Sequence, residues 1–567
     1  MSSRRINPMK WAVWVLLALL LIVPVSANKG TVKLLALLDD NGNSTGILAD
    51  LSLETTQGYG RVFLETFPLT KIATQVSLQL AKQIACDELD TDCSTTDFLY
   101  TIQASPGIIG GPSAGAAASV LAAALLDGRK LDPTVAMTGT INSGGLIGPV
   151  GGVNYKIEAA AKGGIKTVLI PAGTAVYKDG NDTVDLIELG KKLGIAVVEV
   201  ATLDDALTYF TGKSIDRPDH EFVLDKNFEN TMKAVSQDLC DRAKQNALVP
   251  DALNLTLLAD TYYAQAEYYA SASYCFRAAL KQKEAELKGI TKKEFDERLV
   301  ILVKQLSVQE KNLQGQPLQT MTDLQTFMLV QERIAEAQET VVELIESSKV
   351  PNTGALAYAE ERAYSAQVWS KFFGAGGKTF VLNNQTLANS CFEKINEAEE
   401  RFAYVESFYP DGLKQTRKTL DRAEARAKSG DFIVCLHDAS RAKSEADILL
   451  SVTGVEESRV QDIIDIKLNV TQRSLAKAQA QGIFPLIGYS YFEYANALRT
   501  EDPYSALLFA EYANELSGLD VYFEQSNLPR IVVPWSQVGL VVAGILIGAG
   551  VSFLTLNRAK QSFRKKR

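Results

Sequence analysis

The sequence predicts an α/β unit followed by an all-α helical array and a C-terminal transmembrane helix. Three observations carry that prediction. Up to about residue 215, β-branched and aromatic runs alternate with glycine punctuation and short apolar helical stretches. From about 220 to 525 long segments rich in Ala, Glu, Lys, Gln and Tyr place apolar residues three and four apart. Near the end, the uncharged run Val538–Leu556 nearly spans a bilayer core of about 30 Å at 1.5 Å per residue.

Taken in order, TVKLLALLD, ILADLSLETT and RVFLETFP read as strands separated by Asn41-Gly42-Asn43 and Gly58-Tyr59-Gly60. TKIATQVSLQLAKQIACDEL follows as a helix, with Ile72, Val76, Leu80 and Ile84 expected on one face. DFLYTIQA is a strand that delivers the chain to Gly110-Gly111-Pro112-Ser113, after which an alanine-rich helix runs to about Leu126. TVAMTGTI is a strand, Gly144 and Gly145 a hairpin, and GPVGGVNYKIEAAAKG a turn and helix. TVLIPAG, a helix near Val184 to Leu193, IAVVEV and DDALTYFTG complete the unit, assigned to 28–215.

In the helical segment, 220–525, Phe295, Leu299, Leu302, Leu306 and Leu313 follow heptad-like spacing, as do Phe327, Val330, Ile334, Ala337, Val341 and Leu344. Gly315 and Pro317 lie between them, which predicts an antiparallel hairpin. Three further stretches, beginning at Tyr262, Arg422 and Tyr491, resemble tetratricopeptide-type helix pairs, although no fixed 34-residue period links them. The tyrosine and alanine stripe is expected to be packing.

The two ends predict a destination. Arg4, Arg5 and Lys10 precede the apolar run 11–23 and then Val25-Ser26-Ala27, the pattern of a signal peptide over 1–27. The transmembrane helix is placed within 531–556, and the basic tail 557–567 is cytoplasmic by the positive-inside rule. The expectation is a single-pass cell-membrane protein with residues 28–530 outside the cytoplasm. Five Asn-x-Ser/Thr sequons, at Asn43, Asn181, Asn254, Asn384 and Asn469, agree with export. Six cysteines, adjacent along the chain as 86 with 93, 240 with 275 and 391 with 435, suit a disulfide set, one of fifteen connectivities. A net charge of -9 without a basic face argues against nucleic acid as a partner. Two histidines and no Cys-x-x-Cys leave a zinc site without adequate ligands, and no cofactor is expected.

Chemistry concentrates between Gly110 and Lys156. Ser113 opens a helix, where unpaired backbone N–H groups collect, and is the candidate nucleophile. Lys156 follows a second glycine-rich turn and is the candidate base, provided that burial keeps it neutral.

GPSAG, AMTG, PVGG followed by a lysine, and AAAKGGIKTVLIP resemble, in order and spacing, the proteolytic domain of the Lon family of Ser-Lys peptidases. The likeness is greatest to the archaeal membrane-associated members without the ATPase module. The resemblance implies catalytic roles for Ser113 as nucleophile and Lys156 as general base, with Thr138 as the supporting hydroxyl that holds the lysine. It also implies polypeptide substrates and a homo-oligomeric ring. Two positions depart from the family: Gly110 stands where an acidic residue is usual, and Tyr155 where a Glu is. No Gly-x-x-x-x-Gly-Lys-Ser/Thr run is present, so hydrolysis is expected to be independent of ATP. The alternative reading is a catalytically silent Lon-like scaffold whose helices mediate binding or assembly at the cell surface. A small-metabolite kinase is a distant third, because the glycine turn lacks a phosphate-binding lysine and acidic metal ligands.

Overall fold

The structure is a computed structural model describing residues 28–523, apart from 41–42, 68, 105–109, 180–181, 217–221, 246–248, 347–350, 411, 453–454 and 456, together with 544–545 and 548–550. The predicted signal peptide and basic tail, and nearly all of the predicted transmembrane run, lie outside the described residues. Among the described residues no helix is long and apolar enough to cross a membrane.

The first three strands are β1 (Asn28–Asp40), β2 (Asn43–Gln57) and β3 (Val62–Phe67), close to their sequence boundaries. With β4 (Thr96–Ala104), β5 (Val135–Met137), β8 (Thr167–Pro171) and β11 (Ala196–Val200) they form a seven-stranded sheet in the order β11-β8-β5-β1-β2-β4-β3. The β11, β8, β5 and β1 strands run parallel, β2 is antiparallel to its neighbours, and β3 is parallel to β4. The expected strand 134–141 is broken: Thr138 and Gly139 interrupt it, and β6 (Thr140–Ile141) pairs with β7 (Ile147–Gly148) around the turn Ser143–Gly145. A hairpin of β9 (Val176–Asp179) and β10 (Asp182–Asp185) precedes the helix expected near Val184.

Helices α1 (Ile72–Glu88), α2 (Gly115–Leu126), α3 (Val153–Lys162), α4 (Leu186–Leu193) and α5 (Leu203–Thr211) complete this part. The α2 helix is buried from Gly115 to Ala124, so its alanine-rich composition reflects a helix packed all round. In α1 the proposed stripe fails at one end, since Ile72 is exposed while Leu80 and Ile84 are buried beside Leu78 and Ala81. Spacing of four drifts about 40° per step on a helix of 3.6 residues per turn, so Ile72 lies far round from Ile84.

The helical part comprises α6 (Lys226–Ala243), α7 (Pro250–Ala264), α8 (Tyr268–Glu286), α9 (Lys292–Gln314), α10 (Met321–Glu346), α11 (Thr353–Trp369), α12 (Asn384–Glu406), α13 (Lys414–Ser429), α14 (Phe432–Val452), α15 (Val460–Ala480), α16 (Leu486–Leu498) and α17 (Pro503–Ser517). Every residue of the two heptad-like runs on α9 and α10 is buried, and the three expected helix pairs are α7/α8, α13/α14 and α16/α17. The tyrosine stripe is packing in large part, with Tyr268, Tyr269, Tyr274, Tyr489, Tyr491 and Tyr512 buried. Disulfides join Cys86 to Cys93, Cys240 to Cys275 and Cys391 to Cys435, the adjacent pairing.

Residues Asn28–Gln525 form one compact unit, so the segments assigned to 28–215 and 220–525 are packed together. The Ser143–Gly145 turn is seated on α15 and α17. Ser143 Oγ donates to Glu515 at 2.9 Å, Asn514 Nδ2 donates to the Ser143 carbonyl at 2.8 Å, and a Cβ on Gly144 would lie 2.6 Å from Val470. Beneath it, Lys394 and Lys443 alternate with Glu397 and Glu515 in a buried, charge-balanced cluster. Burial disfavours every charge there, yet the carboxylates hold Lys394 well above its ordinary pKa and the lysines hold Glu515 well below.

Candidate active site

The turn that presents Ser113 is shaped by its glycines and proline. Gly111 has φ +130°, a conformation that side-chain-bearing residues avoid, and Pro112 opens a single 3-10 turn over Pro112–Ala114 that leads straight into α2. Ser113 is half-buried at this helical start. The turn is tied to the break in the expected strand: the Ser113 carbonyl accepts from the Gly139 N–H at 3.3 Å, and the Gly139 carbonyl accepts from the Ala116 N–H at 3.2 Å. Gly139 permits this approach, because a Cβ there would sit 2.6 Å from Ile147.

Gly110 also has a local cause. A Cβ at this position would lie 2.6 to 2.9 Å from the Lys71 side chain and backbone nitrogen, so the start of α1 occupies the space that a larger residue would need. Tyr155, the second departure, is on the outer side of α3 and partly exposed.

Thr138 and Lys156 come together in the interior. Thr138 is fully buried, with its N–H donating to the Leu169 carbonyl at 3.1 Å. Lys156 lies in the first turn of α3, which begins after the left-handed Gly152, and its side chain passes into a core that includes Val153, Ile157 and Ala160. Lys156 is 2% exposed, and its Nζ donates to Thr138 Oγ1 at 3.0 Å. Burial alone lowers its pKa from 10.5 to about 7, because the ammonium form loses its hydration. Among the described residues Lys394, Lys443 and Lys467 are also buried, and each is paired with a carboxylate. Lys156 has a hydroxyl where those have a counter-charge.

Ser113 and Lys156 line the same cavity, of about 100 Å3, together with Leu34 to Leu37 of β1 and Ile102 of β4. Three further lining residues were not singled out from the sequence. Thr74, in the first turn of α1, is buried with a hydroxyl that has no hydrogen-bond partner. Tyr404 and Phe408 reach the cavity from the end of α12 and the residues after it. The Gly151 N–H donates to the Tyr404 hydroxyl at 2.9 Å, and the Phe408 ring covers Gly151 so closely that a Cβ there would be 2.7 Å away. Burial pushes the Tyr404 phenol up to about 12, so it is neutral at physiological pH. The sequence signal for this pair was weak: two aromatics four apart in a segment rich in them.

A half-buried hydroxyl at a helix start that shares a cavity with a buried lysine lacking a carboxylate partner is an arrangement suited to nucleophilic catalysis. Residues 102–209 match the Lon protease (S16) C-terminal proteolytic domain. The chain thus carries a proteolytic domain of the Lon family. It is 34% identical over 168 residues to the Lon protease of Paraburkholderia phytofirmans, covering 29% of this chain and 20% of that protein. It is 29% identical over 188 residues to the archaeal Lon protease of Halobacterium salinarum, covering 31% and 26% respectively. To the archaeal Lon protease of Methanothermobacter thermautotrophicus it is 32% identical over 182 residues, covering 32% and 27%. The chain therefore spans between a fifth and just over a quarter of the length of these relatives.

Proposed function

We propose that the protein is a serine endopeptidase that works without ATP, with Ser113 as nucleophile, Lys156 as general base and Thr138 as the residue that orients the lysine. The observation that carries this reading is the buried Lys156, held by a hydroxyl alone and lowered to about 7 in the cavity that Ser113 lines. A neutral amine there can take the Ser113 proton as Oγ adds to the substrate carbonyl, then return it to the departing amine. Backbone N–H groups at the helix start around Ser113 meet the oxyanion. Water then repeats the sequence on the acyl-enzyme.

The substrates are unfolded polypeptides or peptides, cut outside the cytoplasm, with the protein held at the membrane by the run 538–556. Three disulfides favour an oxidising compartment and so support this placement. Assembly into a ring is part of the same reading.

The test is hydrolysis of an unfolded polypeptide by the purified protein in detergent without nucleotide, beside Ser113→Ala and Lys156→Ala. Both substitutions should abolish cleavage, and activity surviving in Ser113→Ala refutes the assignment. Protease treatment of intact cells should remove the catalytic part. Protection of that part refutes the external placement.

A further inference from the structure

We propose that Phe408, held in place beside Tyr404, is the outer wall of the pocket for the substrate side chain on the acyl side of the scissile bond, and limits that residue to small aliphatic side chains. The inference rests on the Ser113 and Lys156 reading. It concerns the helical part of the chain, beyond residues 102–209 that match the Lon proteolytic domain.

Geometry leads to it. The cavity that Ser113 lines is formed by Leu34, Leu37 and Ile102 together with Phe408 and Tyr404. Its lining is mainly apolar, with the Tyr404 and threonine hydroxyls beside the reacting groups, and it suits an apolar side chain. Its volume of about 100 Å3 is smaller than a cavity of roughly 150 Å3 that holds benzene, so a small aliphatic side chain fits it better than an aromatic ring.

Phe408 is placed to set this limit. Its ring lies over Gly151 and meets the Tyr404 ring edge-on at 5.2 Å, while Tyr404 is fixed by the bond from the Gly151 N–H. Phe408 remains 45% exposed, so the ring is a wall between the cavity and solvent and not part of a sealed core. Shortening this side chain opens the pocket, while Tyr404, which accepts from the Gly151 N–H, still holds the turn before Lys156.

The probe is a set of peptide boronates that differ only in the side chain next to boron: Ala, Val or Phe. Ser113 Oγ adds to boron, forming a B–O bond, and its proton passes to Lys156, so binding is read without turnover. With the wild-type protein the Ala and Val compounds should bind at least tenfold more tightly than the Phe compound. Phe408→Ala should bring the Phe compound level with them or ahead. Phe408→Leu, which keeps an apolar side chain over Gly151, should fall between and serves as the test if the alanine variant does not fold. An unchanged order of affinities in the folded variants overturns the proposal while leaving the Ser-Lys reading intact. Failure of the Ala compound to modify Ser113 in the wild type, read by mass spectrometry, overturns that reading instead, and the inference with it.

Discussion

Replacing Lys156 by Met should change stability in opposite directions at neutral and at high pH. A lysine that titrates near 10.5 when unfolded and near 7 when folded binds more protons in the unfolded chain across that window. Stability therefore rises with pH between the two values, and the cost of the buried amine is fully present below about 7. At about 1.4 kcal/mol per pKa step, that cost is roughly 4–5 kcal/mol at its ceiling. Methionine removes it but also removes the bond to Thr138 and leaves that hydroxyl unpaired, a loss of about 1–3 kcal/mol. The variant should thus be more stable than wild type by roughly 1–3 kcal/mol at pH 7, with the titration component falling to about half by pH 9 and vanishing above 10.5. Paired calorimetric scans at pH 6.5 and 9.5 read the difference directly. A difference that does not change between these pH values refutes the claim that Lys156 is held neutral by burial. The same protonation governs rate: kcat/KM of the wild type should climb with pH through about 7, well below the range of a solvated lysine.

Thr138→Val removes the acceptor that orients Lys156, and kcat for peptide hydrolysis should fall ten- to a hundredfold, with the melting temperature lowered by the loss of this buried bond, about 1–3 kcal/mol. Glu515→Gln leaves Lys394 and Lys443 with Glu397 as their remaining buried carboxylate, and should cost roughly 3–5 kcal/mol, seen as a lowered melting temperature. Removing the Cys391–Cys435 bond, which closes a loop of sequence separation 44 between α12 and α14, should cost about 4 kcal/mol, read as the shift in unfolding midpoint of a Cys391→Ser, Cys435→Ser double variant.

What could be read from the sequence was local. Strand punctuation gave β1 to β4 to within four residues at each end, and the heptad-like runs from Phe295 and Phe327 gave α9 and α10 with their buried faces. Ser113, Thr138 and Lys156 were legible because ordered glycine-rich motifs surround them. The break of the strand at Thr138 was not, since it arises from the docking of the Ser113 turn on Gly139, a contact between segments 26 residues apart. Thr74, Tyr404 and Phe408 were invisible for a stronger form of the same reason. Nothing in a helix start or a tyrosine-rich helix records which distant cavity it will face.

Those missed residues alter the meaning of the helical array. The segment from Thr138 to Lys156 joins the two hydrogen-bonded residues, and contacts from the helical part hold it at both of its turns. Asn514 and Glu515 grip Ser143, while Tyr404 and Phe408 grip Gly151, immediately before the helix that carries Lys156. Two glycines accept this contact because any side chain at 144 or 151 would collide with the helices. The loop is thus held at both turns, and Lys156 at its end is buried, which lowers its pKa. Gly110 fits the same account. The start of α1 fills the space that a side chain at 110 would need, so the turn that carries Ser113 packs directly against a neighbouring element.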